Sequence, residues 1–410
     1  MKIWILNHYA IPPNSAGGTR HFDLAKRWLR QGHQVTIFSS NFDYMKRAAS
    51  HSTEKCTREL ADLVEFVRIK TRPYSKNDIR RFLGMMDYAF NVLSCVNDND
   101  MEKPDIIIGS MVHHFAVVAA YQLSRKYQTP FVLEVRDLWP ETLVEMGALS
   151  DYHPFVLLLK ALNKFLFPRA SHVVSVPPFV HERIIHYGVP RTRITHLPNF
   201  VDVERFSHNK IEIEREENPF VVMYAGLHGP SNGLDVVLKS AYVLQQKQIK
   251  DIQFWLVGDG PEKAALIRLS QQLGLSNVKF YQSMPKNEVG ILMQKASAFV
   301  FHLRDLPVLA TYGISANKLF DYMAVGRPVI FACRSRNNPV ADANGGITIP
   351  PENPQAMADA ILQLFRMSPD ELKQMGRNAR QYVVRNHSAD VVAEKYLKLL
   401  ERIVVYGRSG

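Results

Sequence analysis

The chain has 410 residues, too many for one ordinary hydrophobic core and enough for two domains; with 46% hydrophobic and 22% charged residues it is neither disordered nor low-complexity. No apolar run reaches the length of a membrane span, since the longest, beginning at Phe155, stops at Lys160. A formal charge of +11 points to acidic partners, among them nucleic acid, anionic lipid and phosphorylated substrates.

The N-terminal residues 1–7 form a short buried-strand pattern that enters a Pro/Gly loop, too short for a signal-peptide hydrophobic region, so the mature protein is expected to start here. Strands at 3–6 and 35–39 around a helix over about 18–31 read as βαβ winding. In the loop between, Gly17 and Gly18 permit close backbone approach to a phosphate at the next helix start, with Arg20 adding positive charge; a plain strand-to-helix turn is the alternative. Cys56, Cys95 and Cys333 are widely spaced, with no CxxC and no clustered histidines, so neither a disulfide framework nor a metal site is expected and a reducing cytoplasm fits.

The series continues with strands at 64–69, 105–109, 131–134 and 173–176, and a helix near 115–127. Arg68, Lys70, Arg72, Lys76, Arg80 and Arg81, interleaved with Phe82, Met85, Met86, Tyr88 and Phe90, read as an interfacial segment for anionic lipid or as a solvated helix face with a packed underside. His113 and His114 follow one strand, where a neutral imidazole can bond a sugar hydroxyl or simply pack. Arg136, Asp137, Trp139 and Glu141 follow the next, as a polar site or as an internal ion pair and a structural corner.

After the charged segment 210–218 a second series begins, with strands at 220–225, 253–257, 278–281, 298–301 and 329–331 and a helix from Leu234. Gly226, His228, Asn232 and Gly233 form one glycine loop, and Gly258-Asp259-Gly260 a tight turn. At 313–328 a glycine-marked loop holding Ser315 and Ala316 opens a short helix that begins near Asn317. Its first-turn N–H groups suit a phosphate, while Lys318 and Asp321, three apart, share a face. Helices at 354–365, 369–386 and 391–404 close the chain, the last expected to pack back on the first half.

Five ordered motifs, Gly17-Gly18-Thr19-Arg20-His21, Val135 to Glu141, Pro198-Asn199-Phe200-Val201-Asp202, Gly258 to Pro261 and Asn317 to Ala324, resemble the family 4 glycosyltransferases of GT-B fold. The likeness is to the bacterial surface-polysaccharide branch that includes fucosamine transferases of the WbuB type, and it covers nearly the whole chain. It implies two Rossmann-like doubly wound α/β domains, residues 1–203 joined by helix 389–410 for the acceptor and 204–388 for a nucleotide sugar. It further implies retaining transfer without a metal or other cofactor, from a UDP sugar to a lipid-linked saccharide, by a cytoplasmic enzyme peripheral to the membrane. Gly17, Gly18, Gly226, His228, Asn232, Gly258 and Gly260, with Ser315, Ala316, Asn317, Lys318 and Asp321, would bind the donor. Arg20, His113, His114, Arg136, Asp137, Trp139 and Asn199 would serve the acceptor side, with His113, Lys318 and Asp321 taking part in the chemistry.

Two features depart from the family pattern. Of two glutamates separated by seven residues, the second maps to Asp321 and the first to Gly313; the usual basic pair falls at Leu227 and Asn232, leaving Lys318 to replace its charge. The alternatives are a nucleotide-sugar epimerase of the same architecture and a catalytically silent nucleotide-sugar-binding subunit. A dehydrogenase lacks its GxGxxG, and a nucleic-acid binder lacks a basic helix suited to a groove.

Overall fold

The computed structural model describes residues 1–12, 18–43, 48–49, 54–74, 79–98, 101–145, 147, 149–206 and 219–407. Two compact units divide the chain, Met1–Asn199 with Ala389–Gly410, and Phe200–Ser388. The first unit ends four residues before the boundary expected at 203 because Val201 belongs to the second: its N–H donates to His387 O at 2.9 Å, it bridges Ser388, and it is buried with Phe206 in that unit's core.

In the first unit the strands are β1 (Lys2–Leu6), β2 (Gln34–Ser40), β3 (Phe42–Asp43), β4 (Ala48–Ala49), β5 (Cys56–Ala61), β6 (Val64–Ile69), β7 (Ile106–Met111), β8 (Phe131–Val135), β9 (His172–Ser175) and β10 (Ile194–His196). Eight form one sheet in the order β10-β9-β8-β7-β1-β2-β6-β5, parallel except for the β5–β6 hairpin; β3 and β4 pair separately. Helices cover both faces of such a sheet, so β1, β7 and β8 are mainly apolar and show no alternation of buried and exposed residues. The last helix, Ala389–Gly407, belongs to this unit: Trp28 Nε1 donates to Ala393 O at 3.0 Å and the Trp28 ring meets Tyr396 edge-on.

One sequence expectation fails here, and of the two readings of the basic stretch the helix face with a packed underside holds from Arg80 on. Cys56 and Cys95, 39 residues apart, form a disulfide between β5 and the helix Ile79–Asp98, a proximity their spacing does not reveal. The basic aromatic stretch is not one amphipathic helix. Arg68 lies on β6 with its guanidinium on Ser39 Oγ at 2.7 Å, Arg72 pairs with Asp87, Lys76 lies outside the described residues, and Met85 and Tyr88 are core.

The second unit contains β11 (Phe220–Ala225), β12 (Ile252–Val257), β13 (Val278–Tyr281), β14 (Ala298–His302), β15 (Val329–Ala332) and β16 (Gly346–Ile349), all parallel in the order β13-β12-β11-β14-β15-β16. One core lies on each face: Leu234, Leu238 and Phe254 pack with Met357 and Ile361, while Met223 and Phe299 pack with Phe320 and Tyr322. The strand order reverses at β11 and β14, and the carboxyl edge beside such a switch point is where open α/β sheets bind ligands.

Candidate active site

At that edge of the second unit, loops after β11, β12 and β15 and the helix Asn317–Val325 converge. Gly226 N–H donates to Val257 O at 2.9 Å and His228 N–H to Asp259 O at 2.8 Å, which seats the β11 loop on the β12 turn. A Cβ at Gly260 would lie 2.5 Å from His228 O, so this turn accepts only glycine there. His228 is fully buried and burial holds its imidazole neutral, its pKa pushed down to about 4. Its ring is buried against the β12 turn, where a Cβ on Gly258 would lie 3.4 Å from His228 Cδ2.

Lys318 carries the charge of the site. Its Nζ donates to Tyr224 OH at 3.1 Å and to Asn232 Oδ1, and lies 4.9 Å from the Tyr224 ring and 5.5 Å from that of Phe301. Among the described residues no carboxylate pairs with it, and burial lowers its pKa to about 7. The fold thus brings Lys318 and Asn232, 86 residues apart in the chain, into direct contact. Asp321 stands one turn further along the same helix, half-buried. Ahead of the helix, Ala316 occupies the N-cap position with no side-chain cap, which leaves first-turn N–H groups for an incoming anion; Asn317 opens the helix and Ser315 precedes it, both half-buried.

Several supports escaped the sequence reading. Asn337 clamps the cradle loop, its Oδ1 accepting Ile314 N–H at 2.7 Å and its Nδ2 donating to Ile314 O at 3.0 Å. Buried His302 donates from Nδ1 to Asn232 O at 2.8 Å and accepts Glu352 N–H at Nε2, which fixes a neutral tautomer. Lys263 donates to Gly258 O at 2.8 Å and Tyr281 O at 2.9 Å, tying the β12 turn to β13. One signal could have found it: a lysine at the first position of a helix opposes the helix dipole unless its ammonium is used elsewhere.

At the carboxyl edge of the first sheet the expected acceptor residues have mixed fates. Gly17 lies outside the described residues, while Gly18 is half-buried just before the helix Arg20–Arg30. Arg20 is not available to a ligand as expected: it is buried, with Nε on Glu134 at 3.1 Å, a second guanidinium nitrogen on Pro198 O at 2.6 Å and a third on Leu197 O. Glu134 also accepts from His21 Nε2 at 2.8 Å and Ser110 Oγ at 3.0 Å. Despite full burial, Arg20, His21 and Arg136 hold its carboxyl well below the usual range.

His114, expected on the acceptor side, instead turns inward and bonds Asn163 Oδ1 at 2.7 Å, while Asn163 Nδ2 donates to Trp139 O. Asp137 is likewise spent on local structure, accepting Trp139 Nε1 at 2.9 Å and Thr142 Oγ1 at 2.8 Å, which ties Trp139 into a structural corner. Arg136 is half-buried and Asn199 buried at the end of the unit. His113 caps the helix His114–Tyr127 by accepting Ala116 N–H at Nδ1, which leaves Nε2 as its N–H; burial and the neighbouring His8 keep the ring neutral. His8, unforeseen, follows β1 as His113 follows the neighbouring β7, with 4.9 Å between ring centroids.

Residues 17–205 match Glycosyltransferase Family 4 and residues 206–382 match Glycosyl transferases group 1, the two matches together spanning most of the chain. The chain belongs to the family 4 glycosyltransferases of GT-B fold. It is 21% identical over 387 residues to the putative colanic acid biosynthesis glycosyl transferase WcaI of Escherichia coli K12, covering 90% of this chain and 92% of that one. With D-rhamnosyltransferase WbpZ of Pseudomonas aeruginosa it shares 29% identity over 243 residues, 56% of this chain and 60% of that one. Among solved structures, the sucrose-phosphate synthase of Thermosynechococcus elongatus superposes with a TM-score of 0.74 at 16% identity over 99% of both chains. Anabaena HepE, solved with UDP and glucose, gives 0.66 at 16% identity over 98% of this chain and 100% of that one. This family 4 transferase thus shares the two-unit GT-B architecture of those solved structures.

Proposed function

We propose that this transferase moves a sugar from a UDP sugar to a lipid-linked saccharide during bacterial surface-polysaccharide synthesis, with retention of anomeric configuration and without a metal ion. The observation that carries this reading is the Lys318 amine beside the uncapped start of the helix Asn317–Val325, next to the Gly226 and Gly258 turns. A cation and helix N–H groups together stabilise a departing diphosphate, the electrostatic role an ion plays elsewhere. The anomeric C–O bond to the diphosphate breaks, the bond to the acceptor hydroxyl oxygen forms on the same face, and the hydroxyl proton leaves with the diphosphate.

Asp321 accepts the ribose hydroxyls, and His113, with its Nε2–H, donates to the transferred sugar. The colanic acid relative and the UDP held by HepE support the polysaccharide and the nucleotide respectively, and the WbuB-type resemblance favours an N-acetylated deoxyhexose such as a fucosamine. For the membrane surface, a better support than the 68–90 stretch is the helix Pro154–Arg169. Its Leu157, Leu158 and Phe165 are exposed beside Lys164 and Arg169, an apolar strip with flanking positive charge suited to anionic headgroups.

The test is incubation with UDP, GDP and dTDP sugars and extracted lipid-linked acceptors in EDTA, following nucleotide release and mass gain on the lipid. Acceptor-dependent gain of one sugar supports the reading. Donor binding with no product across the panel, native lipid extract included, replaces it with a silent binding subunit, and epimerised donor without acceptor replaces it with an epimerase.

A further inference from the structure

Four groups close a directional ring of hydrogen bonds at the head of the candidate donor site. Lys318 Nζ donates to Tyr224 OH at 3.1 Å and to Asn232 Oδ1; Tyr224 OH donates to Leu227 O at 2.7 Å, and Asn232 Nδ2 donates to the same carbonyl at 2.9 Å. Because the hydroxyl spends its one proton on Leu227 O and the amide, anchored by an N–H on the same carbonyl, turns its oxygen to Lys318, each accepts from the amine. Gly226 makes room for the ring: a Cβ there would lie 3.2 Å from Tyr224 OH and 3.4 Å from Lys318 Cδ.

Every partner in this ring is neutral. Two N–H bonds of the amine satisfy both acceptors, so the fourth tetrahedral position of Nζ holds a lone pair or a third N–H. The titratable groups around it do not supply a counter-charge. Tyr224 on β11 and Cys333 after β15 are both pushed up by burial, the thiol to about 12; His228 in the β11 loop is neutral; Asp305, after β14, acts on Cys333. Asp321, on the same helix, lies one turn away.

We propose that Tyr224 and Asn232 are positioning residues that hold the Lys318 amine as a diphosphate ligand, and that Lys318 takes up a proton from solvent when the diphosphate binds. The inference rests on the nucleotide-sugar reading of this site. A phosphate oxygen facing the fourth position favours the charged form, whereas the ring itself offers Nζ no carboxylate among the described residues. The closed ring supports this independently of any titration, since it aims two of the three N–H bonds of an ammonium at protein and leaves one for ligand.

The probe is UDP, titrated calorimetrically into the full chain at pH 8 in buffers of different ionisation enthalpy. With the Lys318 pKa at about 7 before UDP binds, roughly nine-tenths of a proton is taken up per UDP bound. Affinity should then fall about tenfold per pH unit between pH 7.5 and 9, above the ionisation of the UDP terminal phosphate near about 6. Asn232→Asp supplies a carboxylate that charges Lys318 beforehand, and Lys318→Arg carries a permanent charge; both should abolish uptake. Tyr224→Phe and Asn232→Ala should weaken UDP about tenfold at pH 8. UDP binding by the unaltered protein with no proton uptake overturns the proposal while leaving the donor site standing, as does undiminished uptake in Asn232→Asp. Failure to bind UDP, GDP and dTDP alike removes the donor reading and this inference with it.

Discussion

A Cβ placed on Gly258 would fall 2.0 Å from the carbonyl oxygen of Gly226. The β12 turn and the β11 loop thus touch backbone to backbone, at φ +138° for Gly258, and neither can withdraw while Lys263 holds Gly258 O at 2.8 Å. Gly258→Ala should cost the second unit about 3 kcal/mol or more and weaken UDP binding. Gly274, at φ +60° with nothing near, is the control: Gly274→Ala should cost only about 1 kcal/mol, with UDP affinity unchanged. Urea unfolding with UDP titration separates the two, and equal effects would refute the close-contact account.

His113 caps a helix and, in the proposed reaction, also donates to the transferred sugar. Replacing it by alanine removes the cap on the helix His114–Tyr127, worth about 1 kcal/mol, and the Nε2–H assigned to the transferred sugar. We expect His113→Ala to lower kcat about a hundredfold with little change in donor KM, and His113→Asn to regain thermal stability without regaining turnover. Equal kcat in all three proteins would take His113 out of the transfer step.

Glu134 is fully buried against Arg20 and His21. Glu134→Ala leaves the Arg20 guanidinium buried without that partner, at a cost of about 3–5 kcal/mol. The companion Arg20→Met, which keeps the volume and leaves the carboxylate with His21 and Ser110, should cost less than Glu134→Ala. Chemical denaturation of both variants decides; the reverse order would show that the carbonyls of Leu197 and Pro198, not Glu134, hold Arg20.

Acid should unfold the first unit through its buried imidazoles. His8 is pushed down to about 3, His114 and His172 to about 4, and His21 and His113 are lowered as well, in each case chiefly by burial. The unfolded chain therefore binds more protons than the folded one between these values and 6.5, so stability rises with pH across that window and falls on acidification from 6.5 toward 4. Each histidine contributes up to about 1.4 kcal/mol per pH unit. Glu134, depressed below the ordinary carboxylate range, adds to the loss in more acid solution. Stability constant between pH 7.5 and 5 would contradict this burial.

Joining residues 39 apart, the Cys56–Cys95 disulfide should add about 4 kcal/mol in the chain-entropy account. Oxidised protein unfolded in denaturant should show one reactive thiol, from Cys333, and reduction should lower the midpoint of the first unit. Three reactive thiols without reductant would mean that the bond does not form under those conditions.

The strands buried on both faces were legible because continuous apolar runs such as 106–108 and 220–223 have few other uses in a chain of this size. β5 was not, since Cys-Thr-Arg-Glu-Leu-Ala lies at the sheet edge with its outer face in water and needs no apolar alternation. The cradle around Lys318 was legible for a different reason: a glycine, a short helix and a lysine three residues before an acid leave few local geometries. His114, Arg20 and Asp137 show the limit, because a polar residue at a strand end looks the same whether it faces a ligand or pairs inside the fold.

The sequence by itself determined the winding of two α/β halves, the glycine turns and the helix that carries Lys318 and Asp321. These depend on local backbone geometry and on which residues can be buried, both encoded within a dozen positions. Tertiary structure alone decided that Asn337 clamps Ile314, that Cys56 meets Cys95, and that Tyr224, Asn232 and Leu227 O close a ring on Lys318. Such contacts join residues up to 94 apart in the chain, and a hydrogen bond's direction depends on where the fold sets each donor, which no spacing along the sequence specifies.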